Sequence, residues 1–572
     1  MNRRTVFALT VWSLALLLVS GANAGSKKQN LDELSADVLE SLQSFYPVNA
    51  TGMGIHAYDH RLADFSSKSV KSMRKKLDDY SRKLYKYRNS KLSTGDRINY
   101  QLINSNVNIA LLDLKQIKWH TKSPQLYIDE AVNGIYFLML SKHAPMSEKL
   151  YPLIARMKAV PALFATATKN VKKPPEVYLD MAGESLESAI RFYQQVGGKL
   201  MNQFPERADE ILRVSTAARE AMSEFGIYLT SIEAGESTSF AIGKKNFDYM
   251  LEQQFFLDID SDSLLKIGES LLATADEEYK QYEEYVEASH QNGKDSVFMP
   301  ASFCRQDILD YYQWETEQVR IFIEQNDLIT IPEDIAPVTV VETPAFLRSM
   351  IAGIAYQPAG PFDENQSGYF YIRPVPEDLD ATQLGARYRY VHRRGFKGSV
   401  VHEAYPGHHL QMQLAGRHED PVRKWQTNNM LCEGWALYCE EMMYTAGLYG
   451  NEDPSRWLAI LGGIRFRAAR IVADVKLHTG QFTFEECVNW MIDVLEADTE
   501  SSKQYLRTNV RKYTLTPTVW MSYLMGKQEI ERLHEAAMAR PDLYSSEREF
   551  HDALLSEGTI PPALLWDALG LK

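Results

Sequence analysis

The chain has 572 residues, a net charge of −13 and an ordinary globular composition, 45% hydrophobic and 24% charged. That length supports a large core and more than one lobe. The acidic balance argues against nucleic acid or an anionic membrane as the main partner, and four cysteines are too few for a disulfide scaffold.

In chain order, residues 1–24 read as an export signal: Arg3 and Arg4, an apolar run over Val6–Val19, and Ala22-Asn23-Ala24 as a cleavage site before Gly25. The apolar run is shorter than the roughly 20 residues a membrane span needs. No cysteine follows the cleavage site, so a lipid-anchored form is not suggested. The expectation is an exported protein, periplasmic or secreted, with no integral membrane span once the signal is removed.

From Leu31 to about Asp295, apolar residues recur at three- and four-residue spacing. The pattern predicts helices over Leu31–Phe45, Ser66–Arg88, Gly95–Ile117 and Ala182–Asn202, punctuated by Pro161, Pro174-Pro175 and Pro205. The basic stretch Lys71–Lys91 reads as a solvated helix face. A loop at Asn292-Gly293-Lys294-Asp295 divides a helical N-terminal lobe, residues 25–293, from a second lobe, residues 294–572. Between Leu328 and Val391 the texture changes: Thr330–Pro332, Pro337–Val341 and Tyr369–Arg373 are β-branched or aromatic and predict a small sheet. Tyr356-Gln357-Pro358 and Gly368-Tyr369 are candidates for substrate contact, or for aromatic core. From Val400 onward the pattern is helical again, giving a mainly α fold with a small sheet beside its central helix.

That central stretch is Val400–Gln411. It begins like the zinc-binding helix H-E-x-x-H, in which two histidines one turn apart bind one ion and the glutamate serves as base. Here Pro406 stands where the second histidine belongs. In an undistorted helix His408 lies roughly 240° around the axis from His402, on the wrong face, and His409 shares the face but lies roughly 10.5 Å along. Pro406 lacks an N–H and clashes with the carbonyl of His402, while Gly407 accepts almost any conformation. The expectation is a bulge over Ala404–Gly407 that loops out two residues and puts His408 in the i+4 place, with His409 as the other possibility. Glu433, among Leu431, Cys432, Ala436 and Leu437 on a predicted helix ending at Gly447, is the third candidate ligand, because a divalent cation removes the cost of burying its charge. A buried ion pair with a downstream arginine is the other account of Glu433, and Glu440 and Glu441 read as the solvated side. Arg470, Asp474 and His478 follow at i+4 spacings, either as a structural ladder or as support for the ligands or a substrate carboxylate.

HEAYPGHHLQ, beginning at His402, followed by CEGWALYCEEM, beginning at Cys432, resembles the bacterial "domain of unknown function 885" family. It is also similar in plan to helical zinc peptidases of the carboxypeptidase Taq, thimet oligopeptidase and angiotensin-converting enzyme type. The resemblance extends from Pro47–Leu62 to Tyr513–Lys527 and favours His408 as the ligand. Two departures, a missing glycine near Lys476 and Pro517-Thr518-Val519 in place of P-G-Q, bear on the substrate pocket. The resemblance implies a two-lobed helical metallopeptidase holding one Zn2+ and acting on short peptides. Glu403 is then the general base, and Tyr523 the donor to the oxyanion, with His478 as second candidate. Arg470, Tyr369 and Lys527 are candidates for binding substrate. A non-catalytic metal- or peptide-binding protein on the same scaffold, or a zinc hydrolase of non-peptide amides, are the alternatives.

Overall fold

The computed structural model describes residues 30–290, 305–344, 354–394, 396–450 and 454–572. The export signal and the loop expected at Gly293 lie outside these residues. The amphipathic runs of the N-terminal half form α1 (residues 30–45), α2 (Ser67–Tyr85), α3 (Thr94–Leu112), α4 (Met146–Asn170), α5 (Glu176–Gln203) and α6 (Ala208–Ser231). Their starts carry side-chain caps where the sequence supplies serine: Ser66 accepts from the Ser69 N–H and Ser93 from that of Asp96. Two expectations change. Pro161 does not end a helix but lies inside α4, where the buried row Leu153, Met157, Val160 and Phe164 offsets the roughly 3 kcal/mol an interior proline costs. The helix expected to reach Ile117 turns into a π-turn over Asp113–Ile117 and stops on Lys118, whose φ of 59° is left-handed.

Two long helices, α7 (Ser261–His290) and α8 (Arg305–Gln325), lead to a three-stranded sheet of β1 (Thr339–Glu342), β2 (Ala355–Gln357) and β3 (Tyr369–Ile372). The order is β1-β3-β2, with β1 parallel and β2 antiparallel to the central strand. The sheet expected here is present, but Thr330–Pro332 is not a strand, and Tyr356 and Gln357 belong to one. The segment after β2 is pinned to the N-terminal half: His56 bridges Asp59 and Asp363 at 2.8 and 2.9 Å, and the Phe362 N–H donates to Met53. Beyond the sheet come α9 (Phe396–Glu403), α10 (His408–Ala415), α11 (Asn429–Thr445), α12 (Ser455–His478), α13 (Glu500–Leu515) and α14 (Ser522–Met538). The fold is mainly α, as the periodicity predicts. Each of its two buried clusters draws side chains from both halves of the sequence. Among the described residues, no helix is long and apolar enough to cross a membrane.

Helices α11 and α14 meet at backbone contact. A Cβ at Gly434 would lie 2.5 Å from the Gly526 carbonyl carbon, and one at Gly526 would lie 1.9 Å from the Met430 carbonyl oxygen. Only hydrogen atoms fit between them. Overpacking of a tight contact typically costs about 1–3 kcal/mol. Gly526→Ala is therefore expected to lower stability in urea unfolding by at least that amount, with α11 and α14 pushed apart.

Candidate metal centre

The path of the chain after His402 determines which side chains can meet. Pro406 has no N–H to continue α9, and the helix stops at Glu403. The next backbone bonds skip two residues: the Gly407 N–H donates to Val401 at 3.0 Å and the Leu410 N–H to Ala404 at 3.3 Å, each six residues back instead of four. The Gln411 N–H, bonded to Gly407, restores the i−4 pattern in α10. A Cβ at Gly407 would sit 1.9 Å from the His402 carbonyl oxygen, so the detour requires glycine there. Trp435 Nε1 donates to the Pro406 carbonyl at 2.9 Å and ties the detour to α11.

This bulge brings His402 and His408 face to edge, with ring centroids 4.9 Å apart at 83°. Their Nε2 atoms are each 3.6 Å from the same oxygen of Glu433. Bonds of about 2.0–2.1 Å arranged tetrahedrally place ligand atoms roughly 3.4 Å apart, so two imidazoles and a carboxylate at these separations fit a zinc ion. Both outer nitrogens are held: His402 Nδ1 lies 2.9 Å from Glu440, and His408 Nδ1 lies 3.4 Å from Cys432 Sγ. Burial opposes charge on His402, but Glu433 and Glu440 raise its pKa above the ordinary value. Burial likewise opposes charge on Glu433, yet the two histidines hold its carboxyl well below the usual range. The group is thus a compact set of charge-complementary donors around Glu433.

A second group, His56, Asp59 and His143, has ligand atoms equally close. Its two imidazoles are stacked in parallel, 3.5 Å apart at 16°, so their lone pairs do not converge on a point. His56 also spends both nitrogens on Asp59 and Asp363. This group is a structural pin rather than a counterpart of the first.

The other candidates distribute unevenly. Glu403 faces the sheet, its carboxylate accepting from the Tyr356 N–H at 2.9 Å. His409 turns away from His402 and His408: its Nδ1 meets the Tyr356 hydroxyl at 2.8 Å, and burial pushes its pKa down to about 4. Tyr523 lies near Glu433: burial, then that carboxylate, raise its pKa far above the ordinary value, leaving a neutral hydroxyl beside the cluster. His478 is not at the site. It lies fully buried in the core with Nε2 2.8 Å from the Tyr513 carbonyl, and burial lowers its pKa to about 4. Lys527 is also removed from any substrate role, because Glu441, at 2.8 Å, and Glu531 take its ammonium between α11 and α14. The Tyr369 ring lies under Lys142 at 4.3 Å and stacks on Tyr371, away from the histidines.

The expected Arg470–Asp474–His478 ladder does not form as a chain of ion pairs. Asp474 instead accepts the backbone N–H groups of Thr518, Trp520 and Met521, each at 3.1 Å, and so fixes the turn into α14 and Tyr523. Arg470 lies among the rings of Phe466, Tyr513, Trp520 and Tyr523, 4.3 to 5.8 Å from its guanidinium carbon. Among the described residues its one hydrogen bond goes to the Tyr513 hydroxyl, at 3.0 Å, and no carboxylate pairs with it. The other buried arginines are better supplied: Arg423 pairs with Glu557, Arg465 with Asp276 and Glu496, and Arg156 bonds three carbonyls and the Thr51 hydroxyl.

Glu440, expected on the solvated side, is the residue whose role changes most. It lies two turns after Glu433 on the same face of α11, reaching His402 on one side and Arg467, at 3.5 Å, on the other. The seven-residue spacing was the available signal. Loss of a carboxylate behind a ligating histidine typically costs 10- to 100-fold in metal affinity. For a zinc ion held by His402, His408 and Glu433, Glu440→Gln would weaken binding by roughly that factor in competition with a chromophoric chelator, whereas His409→Ala would leave it near the wild-type value.

No curated protein matches the chain. Among solved structures it is similar to a protein of unknown function from Shewanella oneidensis, provisionally described as a lipoprotein, at 20% identity and a TM-score of 0.74, covering 95% of this chain and 100% of that one. A second, from Colwellia psychrerythraea and described in the same way, is 19% identical with a TM-score of 0.71, covering 95% and 98%. At these identities the likeness is one of fold. The family model for bacterial proteins of unknown function, DUF885, matches residues 47–569, nearly the whole chain, and the chain belongs to that family.

Proposed function

We propose that the chain is an exported zinc-dependent metallopeptidase that hydrolyses peptide bonds in short peptides. The observation that carries this reading is the convergence of His402, His408 and Glu433 with a further carboxylate, Glu403, next in sequence to a ligand and bonded to the edge of a sheet. His402, His408 and Glu433 would hold a zinc ion, which would supply Lewis acidity and activate a water at neutral pH. Glu403 accepts the proton released as water attacks the carbonyl and returns it to the leaving amine. The Tyr523 hydroxyl, neutral beside the cluster, donates a hydrogen bond to the developing oxyanion. Among the described residues β2 is an outer strand, and its Tyr356 N–H holds Glu403, which sets the base beside an edge where extended peptide can pair. An exported location is supported by the predicted signal and by the description of the two solved neighbours as lipoproteins.

A binding protein has no need of a base beside its ligands. Glu403→Gln separates the two: under this proposal it retains zinc and loses roughly 100- to 10,000-fold in kcat on a fluorogenic peptide. Unchanged peptide turnover, or no turnover by the zinc-loaded wild type on peptides while simple amides are cleaved, would replace it with one of the alternatives.

Arg470 narrows the substrate. A caged guanidinium without a carboxylate, packed against the Tyr523 ring, is matched by the C-terminal carboxylate of a peptide. A charged hydrogen bond of this kind is worth roughly 10- to 150-fold. Amidating the C-terminus of a good substrate should lower kcat/KM by about that factor for the wild type. Arg470→Met should cleave the free acid as poorly as the amide.

A further inference from the structure

A groove in the N-terminal half, remote in sequence from the histidine cluster, has the opposite charge to the rest of the chain. It lies between one face of α2 and the segments around residues 118–121 and 169–170, with a volume of about 1010 Å³. Lys68, Lys71, Arg74 and Lys75 line it from α2, and Lys118 and Lys169 from the opposite wall. None of these six has a carboxylate partner among the described residues. The one acidic side chain in the groove, Asp78, is already taken by Lys115.

Two features of the opposite wall are independent of the charge. The π-turn over Asp113–Ile117 ends with Lys118 held at a φ of 59°, a left-handed conformation that residues other than glycine rarely adopt. Two residues on, the Nδ1 of His120 is buried without a hydrogen-bond partner. Lys118 and Arg74 depress the His120 pKa further, after burial itself. A concave wall of one sign focuses its field, and the lowered pKa of His120 registers that field within the wall.

We propose that this groove is a binding site for clustered phosphate groups, as carried by phosphorylated lipid headgroups or by soluble polyphosphate. Phosphate brings more charge per volume than carboxylate and accepts from ammonium and guanidinium alike. The net charge of −13 conceals this local field. The site would hold the protein against an anionic surface, or place a polyanion beside it, without using the residues of the metal centre.

The test measures binding of tripolyphosphate by calorimetry at low salt, and of phosphatidylcholine vesicles with and without phosphatidic acid by flotation. Each near-surface charge contributes roughly fivefold, so the triple variant Lys71→Glu, Arg74→Glu, Lys75→Glu should weaken binding at least 100-fold. A matched reversal outside the groove, Lys76→Glu, Lys86→Glu, Lys91→Glu, should weaken it less than about tenfold, and both should melt as the wild type does. Binding of tripolyphosphate with this asymmetry assigns a soluble source; asymmetric binding to phosphatidic acid vesicles alone assigns the headgroup, and both support the site. Equal losses in the two variants, or no binding of either probe, overturn it.

Discussion

Two backbone hydrogen bonds that reach six residues back hold this site together. They shift His408 into the place that Pro406 vacates, and a pair of imidazoles on adjoining helices then faces one carboxylate from a third. If the chain followed an ordinary helix, His402 and His408 would lie on different faces and Glu433 would be a buried charge with no reason to be there. The tolerance at the turn is set by Gly407, which packs against the carbonyl of the first histidine, and by Trp435, which reaches back from α11 to hold the proline.

Electrostatics completes what the backbone begins. Charge alternates outward from the centre, from Glu433 to the imidazoles, to Glu440, to Arg467. Glu433 stays ionised while the carboxylates favour charged imidazoles, so a cation binding here would have to displace protons from the two histidines. Asp474 plays a different part, since its carboxylate serves as a cap for the turn before α14 and so places Tyr523 without touching the cluster. Burial raises its pKa to about 7, against the three backbone N–H groups that favour the charged form.

Much of this was legible before any coordinates. Periodicity gave the helices because burial of one face dominates their energetics. Proline and glycine chemistry gave the bulge, since a missing N–H and a missing Cβ are local facts. What escaped were properties of the assembled fold. Glu440 looked solvated because nothing local reports that His402 and Arg467 will cover it. His478 and Lys527 looked available because their partners, the Tyr513 carbonyl and Glu441, arrive from other helices. Pro161 looked like a break because packing that offsets an interior proline is not visible in the residues around it. The three-residue β2 was too short to carry a pattern of its own.

The contact between Gly434 and Gly526 has a further meaning for the chemistry. With nothing between the two helices to compress, the spacing between Glu433 on one and Tyr523 on the other is a property of the main chain, insensitive to rotamer changes nearby. A shorter acid at position 433 would withdraw its oxygens by about 1.5 Å, and no sliding of the scaffold could restore the lost reach. The length of one glutamate side chain is therefore part of the architecture, as firmly prescribed as the crossing of the helices that carry it.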